Sequence, residues 1–130
     1  MRVYGILANP AGHSLSPQMH NAAFAALKID ANYDRFEIDP QRLVEFLMEV
    51  RERPIAGLSV SLPFKEVVME FLDEVNGEAQ AIGAVNTIVN DGGFVRGMNT
   101  DFIGFQKSIE GYNFDRAVVF GAGGAARAVI

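Results

Sequence analysis

The 130-residue chain predicts an α/β fold, a mainly parallel mixed sheet with helices on both faces, and three observations carry that prediction. Short apolar runs alternate with stretches whose apolar residues recur at helical spacing. Asn-Pro, Ser-Pro and Asp-Pro pairs punctuate the changes of period. A single Asn90-Asp91-Gly92-Gly93 stretch signals a hairpin, so at least one strand runs against the others.

Val3 to Ala8 is an apolar run bounded by Asn9-Pro10, as a buried strand is. Ser16-Pro17 then opens a helix to about Lys28, because serine can cap the free amides and proline tolerates the first helical position. Tyr33 to Ile38 is the second strand. Asp39-Pro40 repeats the start signal for a helix with Leu43, Phe46, Leu47 and Val50 at i, i+3, i+4 and i+7, stopped by Pro54. Leu58, Val60 and Leu62 alternate with Ser59 and Ser61 in a third strand, and Val68, Phe71, Leu72 and Val75 return to helical spacing. The hairpin strands are Ala84 to Val89 and Phe94 to Arg96. Asn99 or Thr100 caps a helix carrying Phe102, Phe105 and Ile109, and residues 117–120, AVVF, form a strand before the glycine turn and helix of GAGGAARAVI.

The composition narrows the partners. Hydrophobic residues make up 49% of the chain, enough for one domain with a real core. A net charge of −5 gives no broad basic face for nucleic acid or an anionic membrane. The absence of cysteine rules out disulfides and thiolate metal sites and agrees with a reducing, cytoplasmic setting. The apolar start is too short for a signal or membrane segment. His13 and His20 have no third ligand or nucleophile nearby, so no metal is expected, and Glu45, Glu49 and Glu52 read as the wet face of a helix.

In open α/β sheets, ligands sit beyond the carboxyl ends of the parallel strands. Ser14 and Ser16 follow the first strand there, and Ser61 and Lys65 follow the third. If the 94–96 strand is also parallel, its hairpin partner runs backwards, which brings Asn86 and Asp101 to the same rim. Each residue has a plainer reading: Ser16 as a helix cap, Ser14 in a turn bond, Lys65 as a solvated charge, Asp101 at a helix start, Asn86 satisfying backbone. Together they offer hydroxyls at a helix mouth for an anion and an ammonium beside a carboxylate for proton exchange. Gly121, Gly123 and Ala126 have the G-x-G-x-x-A spacing of a dinucleotide turn.

The motifs ANPAGHSLSPQMHN, SVSLPFKE, IGAVNT, GMNTDFIGF and GAGGAARA, in this order, resemble the amino-terminal half of shikimate dehydrogenases across essentially the whole chain. The resemblance implies a substrate-binding domain over 1–110 and, over 111–130, the beginning of an NADP-binding Rossmann domain. It implies reversible reduction of 3-dehydroshikimate to shikimate with NADPH, in the route to chorismate and the aromatic amino acids. Ser14 and Ser16 would hold the substrate carboxylate, Ser61, Asn86 and Asp101 the ring hydroxyls, and Lys65 with Asp101 would form the acid/base pair. Gly121, Ala122, Gly123, Gly124 and Ala125 would meet the cofactor phosphates. Ser61 stands where the family very often has threonine, which keeps the hydroxyl.

The cofactor domain is represented by one strand and part of a helix, so the chain alone is expected to bind shikimate without turning it over. A homodimer is compatible with this reading, and Val118, Val119, Phe120 and Val129 would be exposed for self-association. The rivals are a quinate/shikimate dehydrogenase and a non-catalytic module that binds a hydroxy acid. The latter leaves Lys65 and the glycine turn unexplained.

Overall fold

A computed structural model describes residues 1–130. Its strands are β1 (Arg2–Ala8), β2 (Ala31–Glu37), β3 (Ile55–Val60), β4 (Glu74–Val75), β5 (Thr87–Asp91) and β6 (Phe94–Met98). They form one mixed sheet in the order β2-β1-β3-β5-β6-β4. β1 is parallel to β2 and β3, β5 is antiparallel to β3 and β6, and β4 is parallel to β6. β6 therefore points the same way as β3, as the rim argument required.

The helices are α1 (Ser16–Leu27), α2 (Leu43–Glu52), α3 (Phe64–Val67), α4 (Gly77–Ile82), α5 (Asp101–Ser108) and α6 (Gly124–Arg127). Helices cover both faces. Tyr33 of β2 stacks on His20 of α1, with ring centroids 4.3 Å apart, whereas Phe36, an odd number of residues further on, packs against Phe46 of α2. The core lies on the α2 side, where Leu43, Phe46, Leu47 and Val50 meet Leu7, Leu58, Val60, Ile88 and Val95. Every α2 position picked out by its spacing is buried.

Several elements differ from expectation. Asp39 caps a single 3-10 turn, Pro40–Arg42, before α2, with its carboxylate accepting from Gln41 N at 2.9 Å. The apolar residues from Val68 to Val75 are not one helix: α3 passes into a 3-10 turn at Val68–Phe71 and the chain then extends into β4. Docking on β6 decides this. Glu74 and Val75 pair with Arg96 and Gly97, and Asp73 N donates to Val95 O. A side chain at Gly97 would strike Leu72 and Val85, so only glycine lets that crossing close. α4, capped by Asn76 through Ala79 N at 3.0 Å, has too little apolar periodicity to stand out in the sequence.

β3 stops at Val60, leaving Leu62 exposed before a cis Leu62–Pro63 bond; Asn9–Pro10 is cis as well. Residues 84–86 precede β5 rather than belonging to it. α5 buries none of its residues, although Phe102, Phe105 and Ile109 gave it an apolar face. Residues 117–120 are not a strand, because no neighbouring strand pairs with them. Val118, Val119 and Phe120 are exposed as anticipated, while Val129 is half-buried.

Arg51 fastens the far end of the sheet. It pairs with Asp73 and donates to Gly93 O at 2.9 Å and Phe71 O at 3.0 Å. The Arg51 hydrogen bond, followed by that of Val95 N, holds the Asp73 carboxyl below its ordinary value. A lowered folded value means that this contribution to stability is present above the ordinary carboxylate range and is lost as pH falls through the lowered value. In chemical denaturation, Asp73→Asn should therefore be less stable than the parent at neutral pH, with the gap closing on acidification. In the core, Leu47→Ala should cost about 2–5 kcal/mol, whereas Met48→Ala, on the exposed side of the same helix, should stay within about 0.5 kcal/mol.

Candidate substrate site at the carboxyl rim of the sheet

The loop after β1 is tied down on both sides. Asn9 N donates to Leu62 O at 3.0 Å, Asn9 Nδ2 to Ile38 O at 3.0 Å, and Ala11 N to the Glu37 carboxylate at 2.7 Å. This brings Ser14 and Ser16 to the mouth of α1, both half-buried. Leu15, not Ser16, occupies the cap position, and no side chain caps the helix there. Instead Ser14 Oγ accepts from Ser16 N at 3.2 Å, so the Ser16 hydroxyl is not spent on its own helix. Arg35 supports the loop by donating to Ser14 O at 2.8 Å.

After β3, Ser61 N donates to Leu7 O at 2.9 Å and Ser61 O accepts from Phe64 N at 2.9 Å. The buried Phe64 ring anchors the turn. Lys65 follows on α3 with its side chain largely withdrawn from solvent, and its Nζ lies 2.7 Å from Asp101 Oδ2. Asp101 opens α5, positioned by the almost fully buried Asn99, whose Oδ1 accepts from Asp101 N at 2.9 Å and whose Nδ2 reaches Ala84 O at 3.0 Å. The other Asp101 oxygen accepts from Asn86 Nδ2 at 2.8 Å. Asn86 also donates to Thr100 Oγ1 at 2.9 Å, and its Oδ1 accepts from Thr100 N at 3.0 Å and Thr87 Oγ1 at 2.8 Å.

The rim thus collects Lys65, Asn86 and Asp101 into one bonded group. The serine loop is tied to the turn after β3 by the Asn9–Leu62 backbone bond. Ser61 stands between them with only its backbone engaged. Sequence reasoning passed over Tyr33, Ser59, Thr87 and Thr100. Tyr33 donates its hydroxyl to Ser59 Oγ at 2.8 Å, and Ser59 is the cross-strand partner of Thr87. Burial pushes the Tyr33 phenol above its ordinary value, while bonds with Ser59 and Ser16 act the other way. Ser59 shares its strand face with Ser61, so that alternation was the available signal; Tyr33 read only as apolar strand.

A broad concavity of about 750 Å³ lies over the sheet face beside this group, lined among others by Tyr4, Phe24, Tyr33, Ser59, Thr87 and Arg96. It touches the rim at Ser59 and Thr87 but does not include Lys65 or Asp101. No cluster of His, Asp and Glu suited to a metal is present.

The glycine turn stands at the end of the chain. Gly121 has φ of 110°, a conformation that favours glycine, and a Cβ at Gly121 or Gly123 would meet nothing within 4 Å. Backbone is therefore open to close approach by a phosphate, which fits a dinucleotide turn, although the run before it is unpaired.

Residues 6–88 match the family model described as shikimate dehydrogenase substrate binding domain. The chain is 49% identical to shikimate dehydrogenase (NADP(+)) of Symbiobacterium thermophilum, over 98% of this chain and 45% of that protein. It is 44% identical to the protein of the same name from Dictyoglomus turgidum, over 99% of this chain and 48% of that one. The chain spans about half the length of the curated relatives it matches.

Among solved structures, shikimate 5-dehydrogenase of Thermus thermophilus in complex with shikimate superposes with a TM-score of 0.92 at 41% identity, covering 99% of this chain and 51% of that one. The same enzyme in complex with NADP(H) and shikimate gives 0.90 at 40% identity, over 99% and 50%. The match of residues 6–88 to that family model, with these identities and this superposition, places the chain in the shikimate dehydrogenase family, as its amino-terminal, substrate-binding part.

Proposed function

We propose that this chain is the shikimate-binding part of an NADP-dependent shikimate dehydrogenase, which interconverts 3-dehydroshikimate and shikimate, with the substrate domain over 1–110 and the start of the cofactor domain over 111–130. The observation that carries this reading is Lys65 Nζ at 2.7 Å from Asp101 Oδ2, with Asn86 on the other carboxylate oxygen, at the rim that also holds the serines.

Ser14 and Ser16 bind the substrate carboxylate. They sit at the mouth of α1, where unpaired amides favour negative charge. Ser61, Asn86 and Asp101 receive the ring hydroxyls. Lys65 and Asp101 grip the reacting oxygen: when the alcohol is oxidised, its hydroxyl hydrogen passes into the Lys65–Asp101 hydrogen-bond pair as the carbonyl forms, and in reduction the pair returns it. The residues of the pair are fixed before substrate arrives, Lys65 by the buried Phe64 beside it and Asp101 by Asn99 and Asn86, so little ordering is left to be done on binding. Gly121, Ala122, Gly123, Gly124 and Ala125 would hold the NADP phosphates, and bound NADP supplies or accepts the hydride at carbon.

Titration of shikimate into the chain, followed by NMR, tests the reading. Saturable shifts should centre on Ser14, Ser16, Lys65, Asn86 and Asp101, and Lys65→Ala should weaken binding by about tenfold or more, the loss of one charged hydrogen bond. Ser16→Ala should weaken shikimate but not its methyl ester, since only the acid uses that subsite. A folded chain that shows no shifts at millimolar ligand, or a Ser16→Ala variant that loses acid and ester alike, would count against the assignment. Quinate, with its extra hydroxyl, should compete less well.

A further inference from the structure

Arg127, on the last turn of α6, holds together segments that are far apart in sequence. Its Nε donates to Ile82 O at 2.8 Å. One terminal nitrogen donates to Gly83 O at 3.1 Å and pairs with the Glu66 carboxylate at 2.9 Å, and the other donates to Ala122 O at 3.2 Å. Ile82 and Gly83 close α4, where carbonyls lack helical partners and carry the negative end of the dipole. Glu66 follows Lys65 on α3, and Ala122 lies inside the glycine turn. A planar guanidinium can serve these acceptors at once; an ammonium cannot.

Gly124 supplies an independent observation. A Cβ there would come within 2.8 Å of Ala84 Cβ and would lie 3.9 Å and 4.0 Å from the Cβ and Cδ of Lys65. The glycine turn therefore packs directly on Ala84, with no room there for a side chain, and lies alongside the stem of Lys65.

We propose that Arg127 is a positioning residue that docks the glycine turn onto the Lys65 edge, so that the turn and the Lys65–Asp101 pair keep one fixed relation. Its importance for catalysis rests on the function proposed above; the docking itself does not. Glu66 is well exposed, so its pair with Arg127 adds little, and the carbonyl bonds from a charged donor carry the contact.

Amide hydrogen exchange and lysine acylation on the whole 130-residue chain test this without any ligand. In Arg127→Ala, the amides of Ala128 and Val129 should exchange about tenfold faster, and acylation of Lys65 relative to the exposed Lys28 should rise by about the same factor, with β3 and β5 amides unchanged. Arg127→Lys should restore only part of the protection. Glu66→Gln should leave both readouts within about twofold of the parent. Should Arg127→Ala loosen β3 and β5, Gly124→Val, which forces the turn off Ala84 with Arg127 intact, gives the same Lys65 readout.

Unchanged Lys65 acylation in Arg127→Ala, or in Gly124→Val if that variant is needed, overturns the proposal. A chain that fails to bind shikimate yet shows the expected exchange and acylation would strike the proposed function and leave the docking standing.

Discussion

The direction of β5 is the constraint on which the site depends. β1, β3 and β6 share one direction, and β5 alone runs against them between β3 and β6. Since a strand's two ends sit on opposite rims, the residue that enters β5 and the residue that leaves β6 must emerge together, and both emerge beside the ends of β1 and β3. Asn86 and Asp101 are neighbours for that reason, although fifteen residues separate them. Had β5 been parallel, a crossover would have been needed and the asparagine would face the opposite rim.

That geometry explains how a short chain assembles a polar group without strain. Asn86 is held by backbone bonds to Met98 O and from Val60 N, Lys65 by one from Val85 N, and no buried side-chain nitrogen or oxygen is left without a partner. The cost of withdrawing Lys65 and Asp101 from water is offset by their mutual bond and by Asn86 on the remaining oxygen, the condition under which a partly buried ion pair is tolerable. The larger apolar cluster gathers on the α2 side of the sheet, and Phe64 and Val85 of that cluster sit directly beside Lys65 and Asn86.

Much of this was legible in the residues. Strand ends followed by Asn-Pro, or running into Leu-Pro-Phe-Lys, located the rim, and the hairpin signal at Asn90 to Gly93 fixed the one reversal that matters; those cues are local and chemical, so they survive in a single sequence. The site residues came forward because the motifs resemble a known family, more than from any one of them alone. What stayed hidden was decided by contacts between distant segments. Val68 to Val75 has helical spacing, yet pairing with β6 pulls its end into a strand. The apolar run at 117–120 has strand composition but no partner to pair with. Ser16 has the chemistry of a cap, while the loop geometry gives the bond to Ser14. Tyr33 reaches Ser59 across β1, a contact that strand periodicity cannot foresee.

Asn86 has one consequence of its own. Both hydrogens of its amide are committed, to Thr100 and Asp101, and its oxygen already accepts from Thr100 and Thr87. A visiting hydroxyl that meets Asn86 does not add a bond to an idle group; it takes a place already occupied. Such an exchange gains little free energy for the correct visitor, because one hydrogen bond replaces another. A visitor that displaces Thr100 or Asp101 without offering a matching hydroxyl leaves a polar group stranded, at a cost of about 1–3 kcal/mol. Under the proposed function, the asparagine is less glue than turnstile, contributing little to how tightly a molecule is held and much to which molecule is admitted.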